Sequence, residues 1–77
     1  MTRESGPRLP RRVTLPDEPL IAAWHLREAL GASKQVLHLW RTKHGFPASH
    51  RESWSTVTAV AAVADWLRAR GVEVTLQ

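Results

Sequence analysis

The stretch that decides this chain's architecture is AWHLREALGASKQVLHLWRTKHGFP, residues 23–47. Leu26, Ala29 and Leu30 recur at helical spacing, and Gly31 follows as a helix-ending residue, which predicts a short helix over residues 23–30. Its start is poorly marked, because Ala22 and Ala23 stand where Ser, Thr or Asp would cap. Ser33 is a suitable N-cap for a second helix running to about Lys43, and Gly45 and Pro47 then end it. Gly31-Ala32 leaves only a tight turn between the two. Two short helices joined by about three residues with a glycine meet the requirement of a helix-turn-helix.

The second helix has two unlike faces. At about 100° per residue, Lys34, Gln35, His38, Arg41 and Thr42 fall within about a third of the circumference. Val36, Leu37 and Trp40 lie on the other side, with Leu39 at the flank. The polar stripe holds no carboxylate. A solvent-facing stripe usually mixes signs, because Glu–Lys pairs one turn apart are mildly stabilising and like charges repel. The first helix does mix them, with Arg27 beside Glu28. A face of Lys, Gln, His, Arg and Thr offers the donors that phosphates and base edges accept: Gln can bridge adenine, and Arg or Lys can reach N7 and O6 of guanine.

On the N-terminal side, residues 1–19 carry four of the chain's five prolines and four arginines. Proline removes backbone donors and disfavours helix at the preceding residue, so this segment is expected to be an extended or disordered basic arm. Val13 and Leu15 are its contacts with the core. Arg3, Arg8, Arg11 and Arg12 are candidate contacts to phosphates or a minor groove, against the plainer reading of a solvated tail. The folded domain is then residues 20–77.

On the C-terminal side, ASHRESWST (residues 48–56) reads as a loop or small hairpin with Trp54 as its only large anchor. A third helix follows, with Val57, Val60, Val63, Ala64 and Leu67 on one stripe, Thr56 or Thr58 as cap, and Gly71 beyond its end. The ending VEVTLQ alternates Val72, Val74 and Leu76 with Glu73 and Thr75, as a half-buried strand does, and needs a pairing partner.

Composition bounds the partners. Seventy-seven residues make one small domain, and the absence of cysteine excludes a disulfide framework and a thiolate metal site. Eleven Lys and Arg against seven Asp and Glu give a formal charge of +4, an excess that attracts polyanions. No apolar run approaches the roughly 18 residues of a membrane span, and there is no apolar signal core, so a cytoplasmic or nucleoid location is expected.

The ordered set Leu30-Gly31, Ser33, Trp40, Gly45-Phe46-Pro47 and Trp66-Leu67 resembles the small MerR-like winged helix-turn-helix of phage and prophage regulators. AlpA-like regulators, excisionases and lambda-type terminase small subunits share this layout, and the match spans about residues 20–68. The resemblance implies a mainly α fold of three short helices with a small β wing. It also implies a second helix that enters the major groove of double-stranded DNA. Ser33, Lys34, Gln35 and His38 would then lie nearest the bases, with Arg41 and Lys43 toward the backbone, Thr42 also in contact with DNA, and His50 and Arg51 on the wing. The wing here carries Glu52 and few basic residues.

Other chemistries have little to stand on. His38, His44 and His50 recur every six residues, share no helical face and have no cysteine beside them, so no metal site is expected. Ser33, Ser49, Ser53 and Ser55 carry no nucleophile signature, and no glycine-rich phosphate loop is present, so neither enzyme activity nor a cofactor is expected. Of Trp24 and Trp66, both off the main apolar stripes, one is expected to be exposed and to serve a protein partner or self-association. The expected role is a phage or mobile-element transcription regulator or a recombination directionality factor, working as a homodimer or cooperative array. The alternatives are a terminase-type DNA-packaging recognition protein and an adaptor that binds protein with the same fold.

Overall fold

The computed structural model describes residues 9–53 and 55–77. Their elements follow in the order β1 (Arg12–Leu15), β2 (Leu20–Ala22), α1 (Ala23–Leu30), α2 (Lys34–Lys43), β3 (His50–Glu52), β4 (Ser55–Ala59), α3 (Val60–Ala69) and β5 (Glu73–Leu76). The domain is mixed α/β rather than mainly α, because β1 and β2 add strand to the expected wing and C-terminal strand.

Both helices of the deciding stretch lie where their sequence places them. Gly31 adopts the left-handed conformation (φ 63°), and its N–H donates to the Glu28 carbonyl while that of Ala32 donates to Arg27. These are the paired bonds of a Schellman ending, and glycine takes that φ without strain. The Ser33 hydroxyl accepts from the Val36 N–H at 3.1 Å, a cap worth about 1 kcal/mol. α1 begins on Ala22 with no side-chain cap, as its sequence implies. Sequence and local geometry agree throughout the turn.

α3 starts later than expected. Val57 belongs to β4, and the N-cap is Ala59 with no side-chain cap bond, so neither Thr56 nor Thr58 caps this helix. The Val60 N–H donates instead to the Pro19 carbonyl at 3.0 Å, a partner remote in sequence. Thr58 is fully buried in β4, and its Oγ1 has no hydrogen-bond partner among the described residues. Leaving a buried hydroxyl unpaired costs about 1–3 kcal/mol. Thr58→Val keeps the β-branched shape and removes that oxygen. It is expected to raise the urea midpoint by the equivalent of about 1 kcal/mol with an unchanged slope.

Two small sheets close the domain. β2, β4 and β3 form an antiparallel sheet in that order, with β3–β4 the hairpin. β1 and β5 pair in parallel, Val13 opposite Val74 and Leu15 opposite Leu76, so the partner that the C-terminal strand needed comes from the proline-rich segment. Val13 and Leu15 are buried in the core, whereas on the other strand Val72, just before β5, is buried, Val74 half-buried and Leu76 exposed. Arg12–Leu15 is thus folded structure inside the segment read as an arm. Arg3 and Arg8 lie outside the described residues.

An aromatic group fixes α2 to α3. Trp40 stacks on Trp66 (centroids 5.6 Å), and Phe46 meets Trp66 edge-on at 4.8 Å. Trp66 Nε1 donates to the His44 carbonyl at 3.0 Å, and Arg70 Nη2 donates to the same oxygen at 2.9 Å. The Arg70 guanidinium also lies 4.0 Å from the centre of the Trp66 ring. A cation at the carbonyl end of α2 complements the helix dipole. Trp66 is therefore buried, while Trp24 is 62% exposed and stacks on His25. Trp66 widens the buried side of α3 beyond the stripe of Val60, Val63, Ala64 and Leu67. Trp54 lies outside the described residues.

Candidate nucleic-acid interface

The site is built on the outward side of α2. Leu37 and Trp40 anchor the helix in the core, with Val36 packed beside them. That anchoring leaves Lys34, Gln35, His38, Thr42 and Lys43 exposed. Leu39 is also 46% exposed, at the edge of this surface. Among the described residues no carboxylate forms a salt bridge with a cation of α2; Glu73 pairs with Arg12, and Glu52 lies against the His50 ring.

Three predicted contacts have structural duties as well. Ser33 spends its hydroxyl acceptor on the helix cap, leaving its hydrogen to donate elsewhere. Thr42 Oγ1 donates back to its own helix, within reach of the His38 and Leu39 carbonyls at 3.1 and 3.2 Å. Back-bonding of this kind turns the hydroxyl hydrogen inward.

Arg41 departs most from expectation. It is half-buried rather than extended outward: its Nε donates to the Pro47 carbonyl at 3.1 Å, and its guanidinium lies 5.5 Å from the centre of the Phe46 ring. Burial pulls its pKa below the usual arginine value. Arg41 ties α2 to the turn that follows it and holds a cation at a fixed place, a duty invisible in the helical wheel.

The hairpin contributes unevenly. His50 Nε2 lies 3.3 Å from Glu52 Oε2, both exposed, so His50 shares its surface with a carboxylate. Arg51 lies opposite Thr56 in the register, and directly opposed residues point to the same side of a sheet. Arg51 therefore stands beside Thr56 and away from the His50–Glu52 pair. Arg11 and Arg12 sit at the start of β1, where Arg12 Nε lies 3.8 Å from Glu73 Oε1, both strongly exposed.

Between α1, α2 and the hairpin runs a cleft of about 310 Å³, lined by Ala23, Arg27, Lys34, Leu37, Arg41, Ser49 and Thr56. Arg27, Ser49 and Thr56 were not expected at the site. Arg27 reads in sequence as half of a mixed-sign pair with Glu28, and only the fold brings it to the same cleft as Lys34. No local pattern marks Ser49 or Thr56. Among the described residues no group of His, Asp and Glu is arranged to hold a metal ion, and no helix is long and apolar enough to cross a membrane.

Comparison with known proteins finds no family model, no curated protein and no solved structure that matches this chain.

Proposed function

We propose that the domain is a MerR-like winged helix-turn-helix that binds double-stranded DNA, with α2 as the recognition helix and the β3–β4 hairpin as the wing. The observation that carries this reading is the exposed face of α2, on which Lys34, Gln35, His38, Thr42 and Lys43 stand without a carboxylate. Gln35 and His38 lie at the centre of that face and are the base-reading candidates, while Lys34 and Lys43 at its margins meet phosphates. Arg51 on the hairpin extends the cationic surface.

Such a protein works without chemistry: phosphate contacts supply affinity, and a few side chains on one helix supply sequence preference. One small domain makes few base contacts, so a homodimer or cooperative array on DNA is the expected working form. A regulator of a phage or mobile element, or a recombination directionality factor, in the bacterial cytoplasm or nucleoid, fits this mode of action. Packaging recognition of the terminase type would use the same face.

A second reading is favoured by one observation. Trp24 is 62% exposed, and a large exposed aromatic suits a protein partner. The adaptor reading and the DNA reading separate in a single titration. The wild type is expected to retard a mixed-sequence duplex at about 50 mM salt, with log K falling against log salt at a slope of about −3 to −4 for about four phosphate contacts. No retardation under these conditions rejects the DNA reading and leaves the adaptor.

A further inference from the structure

We infer that the cleft between α1, α2 and the β3–β4 hairpin seats one phosphate group, a phosphodiester of the DNA backbone, held chiefly by Arg27 and Lys34. The inference rests on the DNA reading above and adds to it a contact from the first helix.

Three cations from two helices line this cleft, and no carboxylate does. Two hydroxyl residues, Ser49 before the hairpin and Thr56 within β4, also line it. Among the described residues the side chains of Arg27, Lys34, Ser49 and Thr56 form no hydrogen bond or salt bridge with protein. Like charges gathered in a concave site repel one another, and an anion that replaces water there relieves the repulsion and takes charge-assisted hydrogen bonds.

Arg41 adds a fixed component. Its Nε is committed to Pro47, so the guanidinium stays at the wall of the cleft. Leu37 forms part of the apolar floor, which lowers the local dielectric and strengthens attraction for an anion.

The volume of about 310 Å³ is on the order of ten waters at ~30 Å³ each, so a phosphate fits with part of its hydration shell. Lys34 belongs both to this cleft and to the margin of the exposed α2 face. A phosphate seated here therefore lies on the strand flanking the bases that Gln35 and His38 would read, and it fixes the register of α2 in the groove.

Arg27 is outside the α2 face, so Arg27→Gln tests the cleft separately. It is expected to weaken binding about tenfold at about 100 mM salt, equally across duplex sequences, and to reduce the magnitude of the salt slope by about one. Thr56→Val, which removes one neutral donor, is expected to cost about threefold with an unchanged slope. Circular dichroism checks that both variants are folded. Wild-type affinity and slope in Arg27→Gln overturn the phosphate seat while leaving the DNA reading standing.

Inorganic phosphate gives an arm independent of DNA. At low salt it is expected to shift the NMR signals of the Arg27 Nε–H and of the Ser49 and Thr56 amides saturably. If the wild type retards no duplex, the DNA source is overturned. Saturable shifts at these residues then support a seat for a free phosphate ligand, and their absence overturns the seat altogether.

Discussion

Trp66→Ala is expected to lower the melting temperature by about 15–30 °C, leaving a large fraction of the protein unfolded under ordinary growth conditions. The ring is buried against Trp40 and Phe46, its Nε1 holds the His44 carbonyl, and Arg70 lies over its face. Truncating a buried tryptophan costs about 3–5 kcal/mol through lost transfer free energy and the cavity left behind. A chain of 77 residues has a total stability on the order of 4–12 kcal/mol, so the loss takes a large share of it. Trp66→Phe keeps an aromatic ring and loses the indole donor, while Arg70 still donates to His44. It is expected to cost about 1–2 kcal/mol. Thermal denaturation followed by circular dichroism reads both variants, and a shift below about 5 °C for Trp66→Ala contradicts the assigned role.

This aromatic joint matters for function because it determines how α2 is presented. Its carbonyl end is held by Trp66 and Arg70, and its amino end is capped by Ser33 behind the Gly31 turn. A helix fixed at both ends offers its outward side chains with little ordering left to do on binding.

What the sequence made legible follows the range of the interactions. α1 and α2 could be bounded because their signals are local: helical spacing, a left-handed glycine, a serine cap. Polar residues between breakers restrict residues 48–56 to a loop or a small hairpin, and pairing with β4 decides for the hairpin. β2 was missed, since three residues carry no measurable periodicity. Val57 was placed on the wrong element because it satisfies both the helical stripe of α3 and the buried side of β4. The β1–β5 pairing joins segments near opposite ends of the chain, and no local pattern reports that. Prolines around Arg12–Leu15 disguised a strand that holds two core residues.

The same rule explains the site. Lys34, Gln35, His38 and Lys43 were accessible to sequence reasoning because one helix carries them at known angles. Arg41 was placed outward for the same reason, yet its Nε contact with Pro47 depends on how the chain turns after α2. Arg27, Ser49 and Thr56 come together only through packing of three elements. Charge pattern found the face, and tertiary structure found the cleft beside it.

The double substitution Gln35→Glu/His38→Glu is expected to reduce affinity for duplex DNA about a hundredfold or more at low salt. It places two carboxylates at the centre of the exposed face, where neither wild-type side chain has a structural hydrogen bond to lose on α2. Removing a base contact costs about 1–3 kcal/mol, and each new negative charge opposes the phosphates as well. Both positions are exposed and distant from Trp40 and Leu37 around the helix, so the melting temperature is expected to move by less than about 4 °C. The loss then belongs to the interface and not to the fold. A charge-matched pair outside α2, Thr75→Glu/Gln77→Glu at exposed positions of β5 and the residue after it, provides a surface control expected to lose far less affinity.

The most direct test of α2 as a DNA-binding surface is the affinity of the wild type and of Gln35→Glu/His38→Glu for one mixed-sequence duplex, measured by fluorescence anisotropy at about 50 mM salt. DNA binding through α2 requires micromolar or tighter binding by the wild type, on the order of what non-specific contacts give, and at least a hundredfold loss in a folded variant. Equal affinity in the two proteins, or no binding by the wild type, contradicts it.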